Sequence, residues 1–584
     1  MNLAYISGNQ SLVSNRLKVL ARVLVAIPVL CFGLLLFTYI VDVPWMDDIE
    51  AFLSFIIGYL DAPTVGEKVH WLLLPNNEHR ILTGKLITLL LYNLTGTVNF
   101  RWLIFAAFAF LLGLLIVFYR VFRSTNLPLL AFVPVPFLLL QPQYYLTTTW
   151  AITGLQHQVV VAMVVAVLYW LANGGRNRFI AGLSLQVLAS FSMSNGLFGW
   201  VAGAVVLAMQ RQWIRLGIWL VVGVATILLY FHGFQNAQGN GSSVTFFLEH
   251  PHLIFFGFFT FTGGLFDFLP ESSILIRSIL PTLAGLILIP SMLWLLWRMN
   301  EPIFRGRIKT NVVPSQEMSA LWQRRYFFTG CYAFLMVNAV IVAFLRPRFG
   351  YAVMLISNYM IYPALLVVLL YLNVISEQYK NPRAWKRWLR LGVSMAMVVW
   401  GLWYVIRLPK IAYRTQQLLT SAYNQKHNGT GLGPNWGSPF IDLARRSLSE
   451  SLKRGIYQYP TEAYYTPYES SLEGESHSFA PDTSLALRVT GGGYSYLAET
   501  NYDALPYPVH QSAVVVQSKQ RTYLFPSPVG FSPANFYLNR PVRTLQAEVI
   551  MPMLAPGQYR VGVLTPADGH ENPIRFSQQT ITVP

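Results

Sequence analysis

Three carboxylates, Asp47, Asp48 and Glu50, lie within four positions of the stretch DVPWMDDIEAF, residues 42–52. Only 11% of the chain is charged, so this cluster needs an explanation. Asp47 with Glu50 three residues later matches a capping box, and both acids favour a helix N-terminus. The pattern leaves Asp48 without a structural task. Capping alone is one interpretation, and the other combines capping with acid–base chemistry, which makes all three residues catalytic candidates.

A second polar cluster lies in LLLPNNEHRILTGK, residues 72–85. His79 can act as an acid or a base near neutral pH, and it is a substrate-binding candidate together with Glu78. Arg80 and Lys85 carry charges that hold phosphate, so they are donor phosphate-binding candidates. A polar loop that leads into a helix is the alternative. Glu78 and His79 would point apart on a helix, so no cofactor is assigned, and a divalent cation, Mg²⁺ or Mn²⁺, is left open.

Arg346 and Arg348 flank a proline in FLRPRFGY, residues 344–351. They face a side of the predicted membrane where loops otherwise avoid Lys and Arg. Two guanidinium groups in this arrangement can clamp a phosphate or pyrophosphate, so both are donor phosphate-binding candidates. Tyr351 follows them as a substrate-binding candidate. Snorkelling of both charges to lipid headgroups is the alternative.

Two weaker features lie at the same predicted face. The stretch TTTWAITGLQHQ (147–158) brings Trp150 and His157 to the rim, and SMSNG (192–196) is an uncharged turn in which Asn195 can bond a sugar hydroxyl. All three are substrate-binding candidates. An interfacial aromatic role or a plain turn is the alternative for each.

The polar clusters lie between long apolar runs, and the helices that these runs form must position the clusters. The chain of 584 residues is 54% hydrophobic, its mean hydropathy is +0.44, and runs of about 18 or more apolar residues recur in its first two-thirds. These features predict a polytopic α-helical membrane protein. The net charge of +17 is explained by Lys and Arg at the inner ends of spans, and no basic run is interleaved with aromatics, so nucleic acid is excluded as a partner. Cys31 and Cys331 lie inside apolar runs, which argues against a disulfide framework and against a cysteine metal site.

The pattern predicts eleven transmembrane helices. They cover about 19–41, 101–121, 127–144, 157–173, 178–192, 196–210, 214–231, 275–297, 326–345, 353–374 and 388–406. Lys and Arg follow alternate spans, which predicts an N-terminus inside and a C-terminus outside. We expect the cytoplasmic (inner) membrane, with a C-terminal domain that is periplasmic or extracellular.

The stretch 80–96 is apolar enough to count as a span, but that choice would move the basic residues of 119–123 to the outside. We therefore expect 42–100 to be a first external loop with two helices on the membrane surface. The first, from Asp48 to about Leu60, carries apolar residues at helical spacing, as an interfacial helix does. The region 232–273 is also expected outside.

Composition divides the chain into three domains. Residues 1–406 form the predicted transmembrane domain, and 407–479 form a connecting region with an amphipathic helix near 439–455. From 480 to 584, short apolar runs punctuated by Gly and Pro predict a β-sandwich outside the membrane.

Acids on one face of the spans, with arginines on the same face beside apolar helices, suit sugar transfer from a lipid-linked phosphate. A carboxylate takes the proton of the acceptor hydroxyl, and cations stabilise the departing phosphate. The apolar helices would hold the lipid tail of the donor, and the lipid bilayer is itself an expected partner.

The motif WMDDIEA (45–51), directly after the first span, resembles the acidic loop motif of the GT-C superfamily of membrane glycosyltransferases. The layout of 19–406 is similar to that of the bacterial aminoarabinose transferase and the protein mannosyltransferases. The resemblance implies a polyprenyl-phosphate-linked sugar donor, an extracytoplasmic glycan, glycolipid or protein acceptor, and an essential carboxylate at Asp47 or Asp48. It also implies that basic residues of external loops hold the donor phosphate, for which Arg346, Arg348, Arg80 and Lys85 are candidates.

Three other functions stay open. A lipid-linked glycan transporter or flippase is disfavoured because the spans hold few Asp, Glu or Lys residues. A ligase that transfers a whole lipid-linked chain would carry a similar arginine-rich loop. A non-catalytic glycan-binding subunit of a polysaccharide assembly complex would use the sandwich alone.

Overall fold

The computed structural model describes residues 3–77, 79–234, 243–305, 316–433, 441–460, 487–492, 495–501, 512–528, 531–538, 544–564 and 574–584. The described part is mostly helical. Its helices are α1 Leu3–Tyr39, α2 Phe55–Asp61, α3 Val65–Leu73, α4 Leu82–Thr95, α5 Phe100–Arg123, α6 Pro134–Leu139, α7 Tyr145–Thr149, α8 Ala151–Asn173, α9 Arg176–Ser190, α10 Phe198–Met209, α11 Trp213–Phe231, α12 Ser243–Glu249, α13 Pro251–Thr262, α14 Ile274–Phe304, α15 Gln316–Leu345, α16 Ile361–Glu377, α17 Pro382–Asn428, α18 Ile441–Lys453 and α19 Pro533–Leu538.

Nine segments of the described chain are helical, long and apolar enough to cross a membrane, so this is a multi-pass membrane protein. They coincide with nine of the eleven predicted spans. The predicted spans 178–192 and 196–210 are the helices α9 and α10, which have 15 and 12 residues. Both are shorter than the roughly 20 residues of a full span.

The region 232–273 contains two helices, α12 and α13. Helices α12 and α13 meet at an angle of 102°, as a broken span or a re-entrant loop does. Counted as one span, this bent pair raises the number of candidates in the described chain to ten. The orientation of the chain stays a prediction.

The chain forms two compact units. The helical unit comprises Met1–Thr38, Leu72–Ile87 and Leu103–Tyr404, and the mixed unit comprises Tyr39–Trp71, Thr88–Trp102 and Val405–Pro584. The loop predicted at 42–100 is therefore divided between the two. Hydropathy cannot show this division, because it does not say which later segment covers an apolar loop helix.

Burial separates two kinds of helix within the helical unit. The most apolar 18-residue segments of α8 and α16 are 94% and 89% buried inside the protein. The corresponding segment of α11 is 22% buried. The buried helices are mostly apolar on every side, as central helices are, with polar residues such as His157 as exceptions. Small residues allow the close packing: a Cβ added at Gly330 of α15 would lie 2.9 Å from Leu168 of α8.

Two antiparallel sheets lie in the C-terminal part of the mixed unit. The strands are β1 Leu487–Gly492, β2 Ser495–Asn501, β3 Ala513–Gln517, β4 Thr522–Pro526, β5 Thr544–Ile550, β6 Gly557–Leu564 and β7 Ile574–Val583. The sheet orders are β1-β2-β5 and β4-β3-β6-β7. Alternate residues such as Val514, Val516, Ala547 and Val549 lie in one buried cluster, as the inner faces of two packed sheets do. Six of the described strands match the short apolar runs predicted in residues 480–584. The exception is β2, which was not predicted.

The first predicted surface helix is present, but its apolar face does not lie on a membrane surface. It begins as a π-helical turn, Ile49–Ser54, and continues as α2. Phe52, Phe55 and Ile56 are buried inside the protein. Helix α18, the predicted amphipathic helix, covers this segment, and the Ser54 and Ser447 hydroxyls lie 2.5 Å apart. The interfacial interpretation is therefore corrected: protein covers this face.

Candidate functional site

The acidic cluster forms a tight turn at the start of the mixed unit. The Trp45 N–H donates to Asp48 Oδ2 at 3.1 Å, and the Asp48 N–H donates to the Trp45 carbonyl at 3.0 Å. Between them Met46 adopts a φ of +47°, which residues other than glycine seldom do. Asp48 is only 2% exposed. These contacts fix the turn and give Asp48 the structural task that its sequence pattern did not assign.

The capping box of Asp47 and Glu50 stays a prediction. Asp48 occupies the N-cap position of the Ile49–Ser54 turn. Its backbone is helical, and its side chain makes no capping hydrogen bond to that turn. The Asp48 carboxylate points back to Trp45 instead. Asp47 and Glu50 are half-buried.

An arginine that the sequence analysis missed lies against this turn. The Arg414 guanidinium carbon lies 3.9 Å from the centre of the Trp45 ring, a stacked cation–π contact. Arg414 is 7% exposed and belongs to α17, which continues far beyond the predicted span end at residue 406. The signal in the sequence was the seven-residue spacing of Arg407 and Arg414, which lie on one helix. Both arginines are buried.

Asp42, the first residue of the stretch 42–52, bonds to the start of α5. Its Oδ1 accepts the Phe100 N–H at 2.7 Å, and its Oδ2 accepts the Asn99 side-chain N–H at 2.6 Å. These bonds cap the start of α5. Burial raises the pKa of Asp42 to about 6, against the lowering effect of the Phe100 N–H and of Arg101.

Two predicted residues of the helical unit share one partner. The Asn195 Nδ2–H donates to the Tyr362 hydroxyl at 2.8 Å, and His157 Nδ1 lies 3.0 Å from the same oxygen. The hydroxyl accepts from Asn195, so we assign its proton to His157 Nδ1. His157 also packs edge-on against Tyr359 at 5.7 Å. The structure thus joins His157 and Asn195 in one buried cluster between helices.

The arginine loop, residues 346–355, lies beside this cluster. Arg346 lies over the rings of Tyr359 and Phe349, at 5.9 and 6.0 Å, and Arg348 lies 4.7 Å over Phe349. Arg346 and His79 both lie within electrostatic reach of the His157 ring. The Tyr351 hydroxyl lies 2.7 Å from the Thr260 hydroxyl. Four predicted residues, His79, His157, Asn195 and Arg346, are therefore neighbours within the helical unit.

A buried ion pair braces the arginine loop. Arg277 donates through Nε and Nη2 to Asp267, with the shortest contact at 2.6 Å. Its Nη2 also donates to the Leu355 carbonyl at 2.8 Å, at the end of the loop. Asp267 is fully buried. This pair was not among the predicted site residues, although an Asp and an Arg in an apolar region were a signal in the sequence.

Arg80 and Lys85 bond to backbone carbonyls. Arg80 donates to the carbonyls of Leu73, Tyr230 (2.7 Å) and His232 (2.6 Å), and Lys85 Nζ donates to the Leu74 carbonyl at 2.7 Å. Burial lowers the pKa of Arg80. Cations at these carbonyls stabilise the C-termini of α3 and α11. We therefore leave both residues out of the phosphate site proposed below.

The remaining candidates are placed as follows. Trp150 is half-buried at the N-cap of α8. Glu78 lies outside the described residues; its neighbours Asn76 and His79 exchange two backbone hydrogen bonds that close the turn. In the described chain, no group of three or more His, Cys, Asp or Glu residues could hold a metal ion.

The acidic turn belongs to the mixed unit, and the arginine loop belongs to the helical unit. No protein-family model, no curated protein and no solved structure matches the chain. The resemblance of residues 45–51 to an acidic loop motif therefore rests on the sequence alone.

Proposed function

We propose that this chain is a GT-C-type glycosyltransferase that transfers a sugar from a polyprenyl-phosphate donor to an extracytoplasmic glycan, glycolipid or protein. The observation that carries the proposal is the acidic turn directly after the first span. Its backbone is fixed by Asp48 and strained at Met46, and strained backbone is concentrated at functional sites.

In the proposed reaction, the acceptor oxygen bonds to the anomeric carbon of the sugar while the bond from that carbon to the phosphate oxygen breaks. The electron pair leaves with polyprenyl phosphate. The acceptor proton passes to a carboxylate, for which Asp47 is the better candidate. Asp48 Oδ2 is already bonded to the Trp45 N–H and is buried, so Asp48 positions the turn.

Arg346 and Arg348 are the proposed donor phosphate ligands. Their loop is held at one end by Arg277, and aromatic rings lie under both guanidinium groups. A guanidinium is suited to phosphate because it presents several N–H groups in one plane. In this proposal the inner membrane holds the chain, with the N-terminus inside and a C-terminal β-sandwich outside.

Lipid-linked glycan transport is the second candidate. It is favoured by the polar cluster of His157, Tyr362 and Asn195, which is buried between apolar helices. Polar groups in such places often line substrate pathways. A transporter moves the lipid-linked sugar intact, whereas a transferase releases polyprenyl phosphate.

The test is transfer by the full chain in lipid nanodiscs. A panel of radiolabelled polyprenyl-phosphate sugars is supplied with candidate acceptors, with and without Mg²⁺ or Mn²⁺. We expect labelled acceptor and free polyprenyl phosphate from at least one donor. Movement of intact donor across proteoliposomes, with no release of polyprenyl phosphate from any donor, would favour transport instead.

A further inference from the structure

A groove of about 870 Å³ lies within the mixed unit. Its walls are Ser54, α2, α3 and one face of α18. The volume falls in the range of about 300–1,000 Å³ that is usual for small-molecule sites. None of the candidate site residues lines it.

Trp71 provides an aromatic surface in this groove. Its six-membered ring lies directly against Gly58, where an added Cβ would come within 2.2 Å of two ring carbons. Glycine at this position therefore allows the ring to lie against the backbone of α2. Trp71 is half-buried, so part of it stays open to the groove.

The rim carries charges of both signs. Asp61, Glu67 and Glu450 line it together with Arg445, Arg446 and Lys453. Arg454 bonds to Asp61 at 2.6 Å and to Glu450 at 2.7 Å, which joins α2 to α18 along one edge. The hydrogen bond from Arg454 to Asp61 holds the pKa of Asp61 below its usual value, so the carboxylate stays ionised.

We propose that this groove binds a neutral saccharide. A pyranose has one face of C–H groups, which packs on an aromatic ring, and a rim of hydroxyls, which bond to carboxylates and guanidinium groups. Acids and bases are balanced around the groove, so a polyanion would meet Asp61 and Glu67 and a polycation would meet Arg445 and Lys453. An uncharged polar ligand meets neither penalty.

The identification of this saccharide as the acceptor rests on the proposed function, whereas the binding does not. A groove that holds the acceptor glycan would select it by shape and hydroxyl pattern. Binding is measured without turnover, so the two proposals fail separately.

The experiment titrates the full chain in nanodiscs with cellotriose, maltotriose and mannotriose, and with trigalacturonic acid as an anionic comparator. Saturation-transfer NMR and calorimetry report binding. We expect at least one neutral trisaccharide to bind, and Trp71→Ala to weaken it at least about tenfold. Ser449→Trp adds bulk from an exposed position of α18 and is expected to abolish binding.

Glu548→Gln is the matched control, because Glu548 is exposed on β5 and does not line the groove. The proposal is overturned if no neutral trisaccharide binds, if only trigalacturonic acid binds, or if Trp71→Ala and Ser449→Trp both bind as the wild type does.

Discussion

The ion pair that braces the arginine loop offers a sharp energetic test. Asp267 is fully buried and receives three N–H contacts from Arg277, whose side chain is only 16% exposed. Asp267→Asn removes the negative charge and leaves the guanidinium buried beside an amide. Breaking one side of such a pair costs about 3–5 kcal/mol, so we expect a loss of that size in the free energy of unfolding.

The assay is reversible unfolding in mixed micelles, followed by circular dichroism. Glu301→Gln is the matched control, because Glu301 pairs with Arg305 on an exposed surface of α14. That pair should contribute less than about 1 kcal/mol. The double variant Asp267→Asn with Arg277→Met should recover much of the loss, since no unpaired charge remains buried.

The reasoning is refuted if Asp267→Asn costs no more than Glu301→Gln, or if the double variant is less stable than Asp267→Asn. For the donor site, the brace predicts that Asp267→Asn raises the KM for the sugar donor more than it lowers kcat. Loosening the loop weakens the hold on the phosphate and leaves the base in place.

Three further predictions concern single groups. Asp42 has a pKa raised to about 6 in the folded state, above its unfolded value of about 3.9, so stability should fall as pH rises from about 4 to 6. In Asp42→Asn, denaturant midpoints should lose that dependence. Arg414→Lys should cost about 1–2 kcal/mol in unfolding free energy, because an ammonium cannot stack flat on Trp45; Arg414→Lys melting at the wild-type temperature would contradict this. Tyr362→Phe should cost about 1–3 kcal/mol, because it leaves polar atoms of His157 without their partner, and thermal unfolding of the variant measures it.

Much of the fold follows from short-range patterns in the sequence. Hydropathy locates the nine long apolar helices of the described chain, and short apolar runs between Gly and Pro locate six of its described strands. The amphipathic helix near 439–455 is found as α18, because its apolar residues recur with the helical period.

The sequence did not show which distant part of the chain buries an apolar helix face. The residues Phe52, Phe55 and Ile56 have the same spacing whether lipid or protein covers them, and here protein does. The period of a pattern gives the face of a helix but not its neighbour. The predicted spans 178–192 and 196–210 are present as the short helices α9 and α10, and their role as membrane spans stays a prediction.

The candidate site was predicted by residue type more successfully than by contact. His157 and Asn195 were chosen separately, and only the structure joins them through Tyr362. Arg80 is a plausible phosphate ligand by type, yet its donors go to backbone carbonyls. A hydrogen bond between residues 150 positions apart leaves no local trace in a sequence.

The central claim is that the acidic turn supplies the base for sugar transfer, with Asp47 in that role. The most direct measurement is the transfer rate of Asp47→Asn at saturating donor, compared with wild type and with the surface control Glu548→Gln. We predict a rate about 10²–10⁴-fold lower for Asp47→Asn, with unchanged thermal unfolding, and a wild-type rate for Glu548→Gln. Transfer by Asp47→Asn at the wild-type rate would contradict the account.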